Sequence, residues 1–232
     1  MCHARSVPLA EAPRVKICGI TRAEDAANAE ALGADFLGAI VSPGFGRTVP
    51  EGMLPGLFEG RTSARVAVVV DEEADRTAQL ARRLGADVIQ LHGDEPASVV
   101  ERLRTMGDWQ LWKAVRARSS DEIVRSVERY GARVDGFLIE GWKEGVVGGG
   151  GAELRLGPER VRGALPAESL FVLAGGLTPD NVSDAVARFA PMVVDVSSGV
   201  EVTFGTKDAT LMEAFVRAAR EGATEVESRG DG

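Results

Sequence analysis

The sequence predicts a single α/β domain, a (β/α)8 barrel of the TIM type, from three observations. Short apolar strands alternate with helical stretches eight times in the 232-residue chain, which indicates a parallel sheet with helical crossovers. The tetrapeptide Leu-Gly-Ala-Asp at residues 32–35 recurs at residues 84–87, each time before an apolar strand, which suggests a repeated βα unit. The alternative, a doubly wound open sheet, normally has a glycine-rich dinucleotide turn after its first strand, and Cys-Gly-Ile-Thr at 18–21 is not one.

The predicted strands are short and apolar, and the second is an almost continuous apolar run, as expected for a strand covered on both faces. The first strand ends at Cys18. The others are expected at Asp35–Val41, Arg65–Val70, Val88–Leu91, Gln110–Ala114, Gly136–Ile139, Leu170–Ala174 and Met192–Val196.

Helical patterns lie between the strands, and Gly33 stands where a glycine commonly ends a helix. We expect residues 1–13 to be a flexible extension, residues 14–220 to be the catalytic barrel and residues 221–232 to be a flexible tail. The predicted helices are Asp25–Leu32, Ala74–Leu84, Ala97–Thr105, Asp121–Tyr130, Asp180–Phe189 and Asp208–Arg220, with weaker ones near Glu51–Phe58 and Pro158–Ala164.

Composition excludes several classes of function. A net charge of -8 argues against a nucleic-acid surface, and no apolar run is long enough to span a membrane. The start of the chain has no signal-peptide core, and two cysteines make no disulfide framework, so we expect a cytoplasmic protein. With two histidines, no metal cluster is visible. The outer helix faces show no distinct apolar stripe, which leaves the oligomeric state open.

The first strand carries chemistry at its end. Side chains alternate across a strand, so Lys16 and Cys18 share one face and apolar residues occupy the other. Thr21 followed by Glu24 matches the sequence pattern of a capping box, which predicts a helix N-terminus just after the cysteine. A thiol near a lysine and a positive helix end tends towards the thiolate, which can take a proton. The alternative is a buried structural cysteine.

Functional groups of such barrels stand at the carboxyl ends of the strands. Arg47 follows strand two and suits a carboxylate or phosphate, although a solvated loop charge is the alternative. Gln90 and His92 share one face of strand four, where a core strand would be apolar. Glu140 ends strand six, where partial burial favours a protonated carboxyl that can act as a general acid.

Glycine-rich segments follow strands six, seven and eight. Segment 141–151 is long, and is either a mobile lid or a disordered surface loop. Gly175 and Gly176 follow strand seven, and Ser198 and Gly199 follow strand eight. In (β/α)8 barrels these two loops often bind phosphate, because glycine lets backbone N–H groups approach an anion. We therefore expect a phosphorylated small-molecule substrate.

Four blocks of the sequence closely resemble the signatures of phosphoribosylanthranilate isomerase of tryptophan biosynthesis. They are Lys-Ile-Cys-Gly-Ile-Thr at 16–21, Gln-Leu-His-Gly-Asp-Glu at 90–95, Ala-Gly-Gly-Leu-Thr-Pro-Asp-Asn-Val at 174–182 and Asp-Val-Ser-Ser-Gly-Val-Glu at 195–201. The resemblance spans roughly residues 14–220 in the right order, and it implies an intramolecular aldose-ketose isomerase without a cofactor.

The resemblance also implies roles for individual residues. Cys18 is the base and Glu140 the acid of an Amadori rearrangement that turns N-(5-phosphoribosyl)anthranilate into 1-(2-carboxyphenylamino)-1-deoxyribulose 5-phosphate. Arg47 holds the anthranilate end and Asp195 lies beside the substrate, while the loops with Gly175, Gly176, Ser198 and Gly199 hold the phosphate. Lys16, Gln90 and His92 complete the expected substrate-binding set.

The sequence departs from the family pattern in three places. The family usually has aspartate at the position of Glu140, segment 44–47 keeps only the arginine of Lys-Ser-Pro-Arg, and segment 154–156 replaces an aromatic-Asp-Trp cluster. These departures keep two alternatives open: an isomerase acting on a related phosphosugar amine, and a non-catalytic barrel that binds a phosphorylated ligand. A proton acceptor and a proton donor at strand ends argue against mere binding.

Overall fold

A computed structural model describes residues 12–141 and 154–229, with side chains in the last helix up to residue 222. Eight parallel strands form a closed barrel in sequence order, and the eighth strand pairs with the first. The predicted (β/α)8 barrel is confirmed. The strands are β1 Arg14–Ile17, β2 Phe36–Ile40, β3 Ala64–Val69, β4 Val88–Leu91, β5 Gln110–Ala117, β6 Gly136–Gly141, β7 Leu170–Ala174 and β8 Val193–Val196.

A helix follows each strand and covers the outside of the barrel. In the part of the chain that the structure describes, no helix is both long and apolar enough to cross a lipid bilayer. The helices are α1 Ala23–Ala31, α2 Leu54–Leu57, α3 Ala74–Leu84, α4 Ala97–Arg104, α5 Ser120–Tyr130, α6 Pro158–Ala164, α7 Val182–Phe189 and α8 Ala209–Arg229.

Several strand ends differ from the predicted bounds by one to three residues, two larger differences follow, and two predicted segments are largely undescribed. Helix α8 continues to Arg229, beyond Arg220 where we expected the barrel domain to end. A hairpin of β9 Glu201–Thr203 and β10 Thr206–Lys207 follows β8 and was not predicted, because strands of two or three residues are too short to show a pattern. The expected lid, apart from Gly141, and residues 1–11 of the expected extension lie outside the described residues.

The repeated joint at 32–35 and 84–87 has a structural explanation. Gly33 and Gly85 have φ values of 95° and 67°, a left-handed conformation that lets the chain turn sharply out of a helix. Asp35, Asp87 and Asp135 each precede an even-numbered strand, and each accepts a hydrogen bond from the second backbone N–H of the preceding strand, at 2.8, 2.8 and 2.7 Å. These charge-assisted bonds fix the strand starts at the amino ends of the barrel.

The core consists of two apolar clusters, one inside the barrel and one between the barrel and the helices. Inside the barrel, the rings of Phe36 and Trp112 meet edge to face with 5.0 Å between centroids. Leu138 is fully buried in the same cluster, which also contains Cys18. The apolar cluster inside the barrel therefore packs directly beneath the polar residues at the barrel mouth.

We predict that Leu138→Ala lowers the free energy of unfolding by about 2–5 kcal/mol, because a buried leucine loses its contacts and leaves a cavity. The measurement is urea denaturation followed by circular dichroism. Met53→Ala is the control, since Met53 is 54% exposed and should change stability by less than about 0.5 kcal/mol. Equal effects of the two substitutions would contradict a packed barrel interior.

Candidate active site

A cavity of about 310 Å³ opens at the carboxyl ends of the strands. Its walls come from the strand ends and from the loops after β2, β7 and β8. Ten of the eleven predicted site residues line it: Cys18, Arg47, Gln90, His92, Glu140, Gly175, Gly176, Asp195, Ser198 and Gly199. They meet because the carboxyl ends of parallel barrel strands converge on one mouth.

Lys16 is the predicted site residue that does not line the cavity. Its side chain is fully buried, and Nζ donates a 2.8 Å hydrogen bond to Oδ1 of Asp195. The two residues are register partners where β1 pairs with β8, so their ion pair crosses the closure of the barrel. Burial lowers the pKa of Lys16, but Asp195 and then Cys18 raise it, and the net pKa lies above the ordinary value. Lys16 therefore contributes a buried positive charge beneath the cavity and contacts Asp195, which lines it.

Cys18 is 8% exposed, at the cavity wall next to Lys16. Burial raises the pKa of the Cys18 thiol, Lys16 lowers it in part and Asp195 raises it further, so that the net pKa lies above the ordinary value. The expectation that the thiolate would be favoured was therefore wrong. Lys16 acts in the expected direction, but the loss of solvation outweighs it. The net direction favours the neutral thiol over the thiolate.

The predicted capping box after Cys18 was also wrong. Helix α1 begins at Ala23 with Arg22 as its N-cap residue, and no side chain caps it. The Thr21 hydroxyl instead donates a 2.8 Å hydrogen bond to the carbonyl of Gly205 in the turn between β9 and β10. The tertiary contact has therefore taken the place of the local cap.

Glu140 is held by a chain of two hydrogen bonds that begins at Gln90 of β4. Nε2 of Gln90 donates to Nδ1 of His92 at 2.9 Å, so a neutral imidazole carries its hydrogen on Nε2 and donates it to Oε1 of Glu140 at 3.1 Å. All three side chains are buried but reach the cavity. This arrangement uses Oε1 of Glu140 and leaves Oε2 without a hydrogen-bond partner among residues 12–141 and 154–222.

A second buried ion pair supports the loop that carries His92. Nζ of Lys113 donates to Oε2 of Glu95 at 3.0 Å and also to the carbonyls of Leu91 and Gly93. Oε1 of Glu95 accepts the N–H of Gly93 at 2.8 Å. Burial lowers the pKa of Lys113, and Glu95 opposes that change. The pair thus fixes the backbone on both sides of His92.

Arg47 is locked onto the hairpin after β8. Its Nε and Nη2 donate to the two carboxylate oxygens of Glu201 at 2.8 and 2.7 Å, and Nζ of Lys207 donates to the same carboxylate at 2.9 Å. Burial raises the pKa of Glu201, but Arg47 and Lys207 bring the net pKa below its ordinary value. The solvated loop charge considered for Arg47 is therefore wrong, because the side chain is buried and paired.

The two glycine loops meet at one side of the cavity. Gly175 and Gly176 have φ values of 90° and 66°, which favour glycine. A side chain at Gly199 would collide with the carbonyl of Leu177, so the loop after β8 packs directly against the loop after β7. Asn181 fixes the turn, since its Nδ2 donates to the Gly176 carbonyl at 2.8 Å. The backbone of both loops is thus open to close approach by an anion.

The sequence did not identify four residues of this site. Glu201 and Lys207 hold Arg47, while Phe45 and Phe204 line the cavity beside it. Glu201 belongs to the block at 195–201, which was the available signal for it. Phe204 gave no signal, because it lies in a turn that no periodic pattern predicts.

This placement of the site assigns the chain to the TIM-barrel enzymes, which hold their substrates at the carboxyl ends of the strands. Comparison with known proteins identifies the family. The family model described as N-(5′-phosphoribosyl)anthranilate (PRA) isomerase matches residues 15–218. The chain therefore belongs to the N-(5′-phosphoribosyl)anthranilate isomerase family.

Individual relatives agree with this assignment. The N-(5′-phosphoribosyl)anthranilate isomerase of Chromohalobacter salexigens is 40% identical over 206 residues, which cover 88% of this chain and 92% of the relative. That of Rubrobacter xylanophilus is 37% identical, with 89% and 98% covered. The crystal structure of phosphoribosyl anthranilate isomerase from Thermotoga maritima superposes with a TM-score of 0.78 at 30% identity, and covers 89% of this chain and 98% of that one.

We predict that Cys18 titrates above the range of an ordinary cysteine, about 8.5, because burial raises the pKa of its thiol. The measurement is the ultraviolet absorbance of the thiolate against pH in a Cys2→Ser variant. A variant with both cysteines replaced by serine subtracts the tyrosine signal. A midpoint below the ordinary range would show that Lys16 dominates over burial.

Proposed function

We propose that the chain catalyses the Amadori rearrangement of N-(5-phosphoribosyl)anthranilate to 1-(2-carboxyphenylamino)-1-deoxyribulose 5-phosphate, with Cys18 as the base and Glu140 as the general acid. Family membership makes the chain an isomerase of tryptophan biosynthesis. The observation that carries the assignment of roles is that Cys18, directly after β1, and Glu140, in β6, line the same cavity. A related structure with a TM-score of 0.75 is a complex with the reduced form of that product.

The reaction needs only proton transfers. Glu140 gives a proton to the furanose ring oxygen, the bond from C1′ to that oxygen breaks, and the nitrogen lone pair forms a Schiff base at C1′. Cys18, as thiolate, removes the proton from C2′, which gives an enolamine. The enolamine then gains a proton at C1′ from the Cys18 thiol and loses the proton of its C2′ hydroxyl to the Glu140 carboxylate, which leaves a ketone at C2′ and restores both groups. Since the product is an isomer of the substrate, the scheme calls for no cofactor.

The surroundings of each group support its proposed role. His92 holds Oε1 of Glu140, which leaves Oε2 to protonate the ring oxygen, and the same N–H then stabilises the carboxylate that remains. The ammonium of Lys16 lowers the pKa of the Cys18 thiol. The attraction between the Lys16 ammonium and the thiolate offsets part of the free energy that burial adds to forming the thiolate during the reaction.

The remaining residues are proposed to bind the substrate. We assign the 5′-phosphate to the loops with Gly175, Gly176, Ser198 and Gly199, the anthranilate carboxylate to Arg47 and the sugar to Asp195. Lys16 is proposed to act indirectly, through Asp195. We also infer a cytoplasmic location, because a chain with two cysteines is typical of a reducing compartment.

We predict that the purified protein consumes phosphoribosylanthranilate, followed as loss of anthranilate-type fluorescence. Cys18→Ala and Cys18→Ser should each lower kcat by about 10²–10⁴-fold, as should Glu140→Ala, because each removes a proton-transfer group. With wild-type protein, the dependence of kcat/KM on pH should be bell-shaped, because the reaction needs Cys18 as the thiolate and Glu140 as the protonated acid at the same time.

Met53→Ala is the control, because Met53 is exposed and does not line the cavity. Absence of turnover in the folded wild-type protein would overturn the proposed function and favour a related phosphosugar amine as substrate. Full activity of Cys18→Ala would overturn the role of the thiol alone.

We predict that Glu140→Asp lowers kcat by up to about 100-fold, although the family usually has aspartate here. The shorter side chain withdraws the carboxyl from Nε2 of His92, now 3.1 Å away, and a shift of about 1 Å at a reacting group can cost that much. Steady-state kinetics at several pH values measure the effect. Unchanged or improved turnover would show that the His92 contact does not position the acid.

A further inference from the structure

Phe204 is a large apolar side chain that is 67% exposed at the tip of the β9–β10 hairpin. The tip is well fixed. Gly205 adopts a φ of 78°, and its carbonyl accepts the hydrogen bond from Thr21. Lys207 ties the other end of the hairpin to the carbonyl of Ser197 at 3.0 Å. These contacts hold the exposed Phe204 ring in a fixed place at the wall of the cavity.

The ring of Phe204 lies over the guanidinium of Arg47, with its centroid 4.2 Å from Cζ. Gly46 allows this approach, because a Cβ at that position would stand 2.6 Å from the ring. Phe45, half-buried, lines the cavity from the same loop. Among the described residues, Phe45 and Phe204 are the aromatic side chains of the cavity wall.

Arg47 has one nitrogen left for a ligand. Glu201 takes Nε and Nη2, whereas Nη1 has no hydrogen-bond partner among residues 12–141 and 154–222. A free N–H donor beside the Phe204 ring, in a cavity that Phe45 also lines, matches a planar aromatic ring that carries a carboxylate.

We propose that Phe204 is a specificity-determining residue for the aryl end of the substrate. Its exposed ring packs against the aminobenzoate ring, Phe45 borders the other side, and Nη1 of Arg47 donates to the ring carboxylate. The inference rests on the proposed function for the identity of the aryl group. It assigns to the hairpin the discrimination between aryl amines and other amines.

The test compares two ligands by isothermal titration calorimetry. One is reduced 1-(o-carboxyphenylamino)-1-deoxyribulose 5-phosphate, which has the aryl ring, and the other is ribulose 5-phosphate, which lacks it. Phe204→Ala should weaken binding of the aryl ligand about tenfold, the equivalent of one stacked aromatic contact. Binding of ribulose 5-phosphate should change by less than about twofold.

Val202→Ala is the matched control, because Val202 is 61% exposed on the same hairpin but does not line the cavity. It should leave both ligands unaffected, and Phe204→Trp should keep the affinity of the aryl ligand. Equal weakening of both ligands by Phe204→Ala, or no weakening of the aryl ligand, would overturn the inference.

Kinetics distinguish this inference from the proposed function. With phosphoribosylanthranilate, Phe204→Ala should raise KM about tenfold with little change in kcat, since a contact remote from the reacting carbons is the same in ground and transition states. If Phe204→Ala weakens binding of the aryl ligand but wild-type protein turns over no substrate, the proposed function alone is overturned. If wild-type protein turns over the substrate and Phe204→Ala has the same KM, the inference alone is overturned. If wild-type protein binds neither ligand, both the inference and the proposed function are overturned.

Discussion

The ion pair between Lys16 and Asp195 is the interaction on which the barrel mouth depends. It joins the first and last strands in register, 2.8 Å from Nζ to Oδ1, beside the apolar cluster inside the barrel. A buried charge without its partner is strongly destabilising, so the two residues require each other. The pair also sets the charge beside the Cys18 thiol. Gly38 of β2 leaves room for both groups, because a Cβ there would stand 3.1 Å from Sγ of Cys18 and 3.2 Å from Nζ of Lys16.

Above this pair, Glu140 and Arg47 are each held by a partner from a different part of the barrel. His92 from the loop after β4 holds Glu140 of β6, and the hairpin after β8 holds Arg47 from the loop after β2. The partners are themselves hydrogen-bonded, His92 by Gln90. Such supported side chains keep their geometry in the absence of substrate, which is what proton transfer and orientation require. The barrel thus supplies rigid positions, and the short hairpin supplies the surface that we associate with the aryl ring.

The fold and most of the site could be predicted from the sequence, because strand order alone brings the carboxyl ends of β1, β4, β6, β7 and β8 to one mouth. The protonation state of Cys18 could not, since it depends on the balance between burial and the charge of Lys16. The cap expected at Thr21 was lost to a contact with Gly205, far along the chain. The partner of Arg47 lies 154 residues away, a distance at which one sequence shows no pairing. Local pattern therefore predicted positions, whereas tertiary packing decided charge and orientation.

The central claim is that the substrate binds between Cys18 and Glu140 with its phosphate on the two glycine loops. The most direct measurement is a crystal structure with reduced 1-(o-carboxyphenylamino)-1-deoxyribulose 5-phosphate. We expect Sγ of Cys18 about 3–3.5 Å from C2′ and Oε2 of Glu140 within hydrogen-bond distance, about 2.6–3.2 Å, of the oxygen on C4′. The phosphate should lie on the backbone of Gly176 and Gly199. A ligand bound with C2′ out of contact with Cys18, or with its phosphate elsewhere, would contradict the account.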